Sequence, residues 1–223
     1  MIEPHDDAAP PAALPLLGEA IEAVERDRPH PTEDLANLTE HPLEPPHELG
    51  PIARFDAAVD GAFDQLRGNP VADRIFYAAT ELGDFGLIWV LLATARGLRS
   101  DEDLRTAGRV TATLVAESVL VNGVIKQFFK RERPVSQEPR PYKMRMPITT
   151  SFPSGHSSTA VVAAILLSSA RPRSAPLYWS IAAVVATSRV YVKIHHASDV
   201  VGGVATGLVI GTIARALWHR RAR

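Results

Sequence analysis

Three histidines, an aspartate and several cations fall in three short clusters in the second half of the 223-residue chain. The first cluster sets Lys126 seven positions before Arg133, which Pro134 follows. A lysine at the end of an apolar segment supplies a point charge and an arginine just beyond it a planar fork, a pair suited to a phosphate dianion. The same residues would also stabilise a helix C-terminus. The second cluster, Pro153-Ser154-Gly155-His156, is a turn leading into a helix. Such a turn aims backbone N–H groups at an anion, Ser154 adds a hydroxyl, and His156 can carry a transferable proton. Ser154 would serve equally as a helix N-cap. In the third cluster Ser188 and Arg189 precede His195, His196 and Asp199. An aspartate four residues after His195 can reach its ring across one helical turn and fix the tautomer. His196, three residues before Asp199, is also within reach, so spacing alone leaves both histidines open.

The elements that must position these residues are short and apolar. Residues 85–98, 109–125, 157–170, 175–188 and 200–218 each read as a membrane segment, although a bilayer core asks for about 20 residues. One set of segment ends carries Arg96, Arg99, Arg105, Arg109, Arg171, Arg173 and the Arg215–Arg223 run. The other carries Asp84, Lys126 to Arg133, His156, Arg189 to His196 and Asp199. The two sets alternate along the chain, so all three clusters fall on one side. The positive-inside bias places the first set in the cytoplasm and the clusters outside, where their excess basic charge requires an anionic ligand. Residues 71–82 read as a weaker first membrane helix and residues 52–66 as an amphipathic helix. In the latter an acidic stripe of Asp56, Asp60 and Asp64 favours packing on the protein's own body over a lipid surface.

Charge divides the molecule further: residues 1–83 hold 17 Asp/Glu against 5 Lys/Arg, and residues 84–223 hold 8 against 19. This split disfavours nucleic acid as a partner and points to an anionic substrate or lipid headgroup. Ten prolines among residues 1–51, mixed with acids, mark that segment as a disordered tail within which residues 16–26 could form a short helix. The N-terminus lacks the basic start and apolar core of a signal peptide, which disfavours a cleaved secreted enzyme. With no cysteine, disulfides and thiolate catalysis are excluded. The organisation is thus a tail (1–51), an amphipathic and a weak membrane helix (52–83), an all-α membrane bundle (84–218) and a basic end (219–223). Gly203, Gly207 and Gly211 form a small-residue stripe read as close packing within the molecule, with a homodimer face as the minor reading. Glu117, mid-segment, reads as structural glue, and Lys143 and Arg145 as headgroup readers.

Taken together, the three clusters resemble the type 2 phosphatidic acid phosphatase superfamily, with its pattern K-x6-R-P, P-S-G-H and S-R-x5-H-x3-D. Lys126, Arg133 and Pro134 match the first motif, residues 153–156 the second, and Ser188, Arg189, His195 and Asp199 the third. The resemblance covers residues 84–218 and favours His195 over His196. It implies a six-helix membrane bundle, one more span than the five segments found, with residues 71–82 contributing to the first. It also implies hydrolysis of a phosphate ester without metal or other cofactor, through a phosphohistidine. His195 would be the nucleophile, Asp199 its partner and His156 the proton donor and then base. Lys126, Arg133, Ser154, Gly155 and Arg189 would bind the phosphate oxygens. The expected function is an integral inner-membrane lipid phosphatase, its site on the outer face. Candidate substrates are polyprenyl (pyro)phosphate, phosphatidic acid or a similar lipid phosphate. A vanadate-dependent haloperoxidase and a catalytically silent membrane scaffold are the alternatives.

Overall fold

The computed structural model describes residues 49–136 and 139–221. The segment expected to be disordered, with its short helix, lies outside the described residues except at its end, where Pro51 already opens a helix. Among the described residues the fold is all-helical. Seven α-helices succeed one another: α1 (Pro51–Asp64), α2 (Pro70–Gly83), α3 (Leu87–Gly97), α4 (Asp101–Ser118), α5 (Gly155–Ala170), α6 (Ala175–Tyr191) and α7 (Ala197–Arg221). The last helix runs through Arg221, so the basic end begins as its continuation.

Local chemistry sets the boundaries. Asn69 Oδ1 accepts from the backbone N–H groups of Val71 and Ala72 at 2.9 and 3.2 Å, and Pro70 follows at the first helical position, where its missing N–H costs nothing. Ser100 caps α4 in the same way, with three acids in the first turn to match the helix dipole. The chain breaks between α2 and α3, where Phe85 and Gly86 take positive φ values of 53° and 69°. Counted through that break, Pro70–Gly97 is one of three stretches among the described residues long and apolar enough to cross a membrane. Asp101–Phe128 and Ala197–Arg220 are the others; α5 and α6, with 16 and 17 residues, are shorter.

The central helix is α5, buried on nearly all sides and packed between α7, α6 and α4. A Cβ at Gly203 would lie 2.3 Å from the Ser154 carbonyl oxygen, and one at Gly207 2.6 Å from that of Ser158. The glycine stripe therefore serves contact between α7 and α5 within the molecule. At one end of the bundle Asp103 joins the two helical turns: it accepts from Arg96 at 2.6 Å and from Arg171 at 3.1 Å. The helix ends at the other side bring the three motifs together.

The amphipathic helix packs on the protein's body, and the side it packs by carries an acid, Asp56, together with Val59 and Phe63. Asp56 is buried against Ser198 and Arg131, while Asp60 and Asp64 meet Arg67 and Lys193. Ile52, Phe55 and Leu66 remain exposed. Phe63 turns inward, edge-on to Phe76 and Tyr191, which stack on each other at 4.3 Å between centroids. This aromatic group anchors α1 and α2 to the turn between α6 and α7 that carries His195.

Candidate active site

A cavity of about 540 Å³ opens where the N-terminus of α5, the C-terminus of α6 and the segment after α4 converge. Lys126, Arg133, Gly155, His156, Arg189 and His195 all line it. Its other wall, from α3, α4 and the turn that follows α4, is apolar and includes Val90, Leu114, Val115 and Val119. One end thus offers cations and histidines, the other a surface for hydrocarbon.

His195 is 2% exposed. Its Nε2 lies 3.2 Å from Arg133 Nη1, and its Nδ1 lies 3.5 Å from Asp199 Oδ2 and 3.4 Å from Ser151 Oγ. A guanidinium only donates, so Nε2 must be the accepting nitrogen and the ring proton sits on Nδ1, towards the carboxylate. Burial, reinforced by the charges of Arg189, Arg133 and Lys126, holds the ring well below the usual imidazole range against the opposing pull of Asp199. The result is a neutral imidazole whose lone pair faces the cations. His196 contributes its backbone instead, donating its N–H to Asp199 Oδ2 at 2.9 Å, and its side chain does not line the cavity.

Asp199 is fully buried, and four donors besides the histidine ring define its position. Ser151 Oγ donates to Oδ2 at 2.5 Å, Arg131 Nη1 donates to Oδ1 at 2.6 Å, the His196 N–H is the third, and Ser154 N–H donates to the Asp199 carbonyl at 3.0 Å. His156, on the first turn of α5, faces the cavity from the other side. Its Nε2 lies 2.9 Å from Asp84 Oδ1, ion-pair distance, but off the line of a directed hydrogen bond.

The cations divide by how they are held. Lys126 Nζ donates to Thr149 Oγ1 and the Thr150 carbonyl at 3.1 and 3.2 Å, and Arg133 clasps the same two residues and the Ile194 carbonyl. Arg189, 1% exposed, donates through Nη1 to Thr80 Oγ1, whereas its buried Nε and Nη2 have no protein acceptor. A buried guanidinium with two unpaired donors beside a cavity calls for an anion there.

Ser154 is placed differently from the other motif residues. Its hydroxyl accepts from Ser157 Oγ at 2.9 Å and from the Ser157 N–H at 3.4 Å, so it caps α5, and it stands outside the cavity lining. Gly155 is in the lining, and a Cβ there would come within 3.1 Å of Asn122 Oδ1. Glu117 accepts from Thr159 Oγ1 at 2.7 Å and so ties α4 to α5. Arg145 lines the cavity, stacked over Phe85 at 4.7 Å from the ring centroid. Ser151, Arg131, Asp56 and Asp84 were not singled out by the sequence motifs. Arg131 lay inside the basic run and Asp84 at a segment end, but no spacing distinguished either from a solvated charge.

The PAP2 superfamily model matches residues 107–223. Decaprenylphosphoryl-5-phosphoribose phosphatase of Mycolicibacterium smegmatis is 31% identical over 149 residues, 66% of this chain and 80% of the relative. Its counterpart in Mycobacterium tuberculosis (strain H37Rv) is 29% identical over 147 residues, 65% and 79% of the two chains. Two crystal structures share the fold. The transmembrane PAP2 type phosphatidylglycerolphosphate phosphatase from Bacillus subtilis has a TM-score of 0.57 at 24% identity, covering 78% of this chain and 89% of its own. Aquifex aeolicus LpxE has a TM-score of 0.58 at 21% identity, covering 77% and 98%. Three membrane-length helices, a cationic site built from the three motifs and a family model matching more than half its length show that this chain is a membrane protein of the PAP2 superfamily and, like its curated relatives, a phosphatase.

Proposed function

We propose that this phosphatase hydrolyses the terminal phosphate monoester of a prenyl-linked sugar phosphate, or a closely similar lipid phosphate, through a phosphohistidine on His195. The observation that carries the reading is Arg189, whose two unpaired buried donors border the same cavity as the His195 lone pair, with an apolar wall opposite. His195 Nε2 attacks phosphorus, the bond from phosphorus to the ester oxygen breaks, and His156 delivers its proton to the departing oxygen. Neutral His156 then takes a proton from water, whose oxygen attacks the phosphohistidine, releasing inorganic phosphate and restoring both rings. Lys126, Arg133, Arg189 and the Gly155 N–H hold the non-bridging oxygens as charge builds, and loss of one such donor typically costs about 100-fold or more in rate. Ser154 supports the site chiefly by fixing the start of α5. No step requires a metal.

The names of the curated relatives favour a prenyl-linked phosphosugar over phosphatidic acid. The argument for sidedness is electrostatic: the Arg96, Asp103 and Arg171 cluster lies at the end of the bundle away from the site. With that end cytoplasmic, the site faces outward across the inner membrane in a bundle of five to six spans. Phosphate release by detergent-purified protein in the presence of EDTA tests the chemistry. A prenyl phosphosugar should be cleaved at least tenfold faster than phosphatidic acid; the reverse order overturns the substrate, and inhibition by EDTA the metal-free mechanism. A single cysteine at Glu132, exposed beside the site, should label with an impermeant reagent in intact cells and one at Arg173 should not. The opposite pattern overturns the sidedness.

A further inference from the structure

The carboxylate behind His195 belongs to a longer chain of charges. Arg131 Nη1 donates to Asp199 Oδ1 at 2.6 Å and to Ser198 Oγ at 2.7 Å, while Nη2 donates to Asp56 Oδ2 at 2.6 Å. Asp56, on α1, is itself fixed: its Oδ1 accepts the Ser198 N–H at 2.7 Å and its Oδ2 the Ser198 hydroxyl at 2.8 Å. Asp56 is 7% exposed and Asp199 fully buried, so neither carboxylate relies on water for its partners. None of this is needed to bind phosphate, because neither Arg131 nor Asp56 lines the cavity.

The geometry points to Arg131 and Asp56 as positioning residues for the nucleophile, acting through Asp199. By holding Oδ1, Arg131 leaves Oδ2 as the oxygen presented to the His195 ring, and it fixes the plane of the carboxylate with a rigid fork that a lysine cannot reproduce. Asp56 in turn orients the fork and balances its charge, so Arg131 does not draw the Asp199 field away from a ring that becomes cationic when phosphorylated. Asp56 thereby has a catalytic reason to face inward, and a helix outside the three motifs becomes part of the catalytic architecture.

This inference rests on His195 being the nucleophile, so the experiment separates the two. Full-length protein in detergent is assayed on a prenyl phosphate for kcat, KM, the pH profile of kcat/KM and acid-labile labelling by the substrate's phosphate. The variants are His195→Ala, Arg131→Gln, Arg131→Lys, Asp56→Asn and, as a matched charge loss, Lys130→Gln at an exposed neighbouring lysine. If His195→Ala still labels and turns over, the reading of the site has failed. With that variant dead, Arg131→Gln should lower kcat about 100-fold with KM within twofold, the scale of a displacement near 1 Å. Arg131→Lys should recover part of that loss, Asp56→Asn should cost about tenfold, and Lys130→Gln should match the parent.

The groups around the His195 ring and its carboxylate partner Asp199 on α7 are Lys126 after α4, Arg131, Arg133 and Ser151 between α4 and α5, and Arg189 on α6. Removing the Arg131 charge while the others stay should move the acid limb of kcat/KM to higher pH by about one unit. An unchanged kcat and pH profile in Arg131→Gln overturns the inference. A rise in KM alone overturns it too, because Arg131 would then be a phosphate ligand. So does a lower melting temperature in the two Arg131 variants and Asp56→Asn with unaltered turnover per folded molecule, which would make the network purely structural.

Discussion

The two histidines of the site are held to very different degrees. His195 is backed by a fully buried carboxylate that Ser151, Arg131 and the His196 N–H fix from the loop before α5 and the start of α7, with α1 bracing Arg131 from behind. His156 has one carboxylate, Asp84, at the break between α2 and α3, close but not aligned. The difference matches what each ring must do. A nucleophile has one trajectory to phosphorus, and small misplacement is costly. A proton carrier serves first the leaving oxygen and then water, at different positions, and benefits from freedom to turn.

The largest effects should therefore fall on the His195 side. His195→Ala should reduce turnover by at least about 10⁴-fold and abolish the phosphoenzyme, on the scale of losing a covalent catalyst, while His196→Ala, which preserves the backbone donor to Asp199, stays within a few-fold of the parent. Equal losses in the two variants, measured as phosphate release and acid-labile label, would dissolve the contrast. His156→Ala should slow an alkyl phosphate by about 10²–10⁴-fold, yet leave phosphoenzyme formation from an activated aryl phosphate nearly intact, since that leaving group needs no proton.

How far the sequence went follows the same division. Motif residues on helix ends were legible because chemistry and spacing coincide there: Lys126, Arg133, Gly155, His156, Arg189 and His195 converge on one cavity. Ser154 carried two readings in sequence, and its hydroxyl is engaged in the cap. What could not be read was support from elsewhere in the chain. Arg131 sits among like charges with no periodic mark, Ser151 lies in an irregular loop, and Asp56 belongs to a helix outside the three motifs whose acidic stripe pointed to packing but named no partner. Hydrophobic pattern predicts the buried side only where burial is apolar; α1 buries Asp56 because Arg131 and Ser198 receive it, while the more exposed Asp60 and Asp64 pair with Arg67 and Lys193.

A smaller effect should come from loosening His156. Asp84→Asn keeps the shape but removes the charge, and should cost about tenfold with alkyl phosphates and little with aryl ones. Gly83→Ala should imitate it, because a Cβ there would lie 2.7 Å from His156 Cδ2 and 3.1 Å from Val185 Cγ1 and must push the ring aside. Leaving-group dependence in both variants would confirm that the Asp84 contact serves proton delivery. A loss independent of the leaving group would instead make this side as rigidly required as the other.

The smallest expected effect concerns stability, and its sign follows from the neutral state of His195. Burial and three nearby cations keep the folded ring unprotonated, whereas in the unfolded chain it takes a proton near pH 6.5. Acid therefore favours the unfolded chain: the contribution of this group is fully present above about pH 6.5 and declines as pH falls toward the depressed folded value. Between pH 7.5 and 5.5 the loss is on the order of 1 kcal/mol, a few degrees in melting temperature for a domain of this size. Other groups titrate over the same range, so the readout is a difference: His195→Asn, similar in size but without a titrating ring, should show a shallower decline than the parent. A parallel decline would mean that the ring is not held neutral, and that Asp199 outweighs the cations around it.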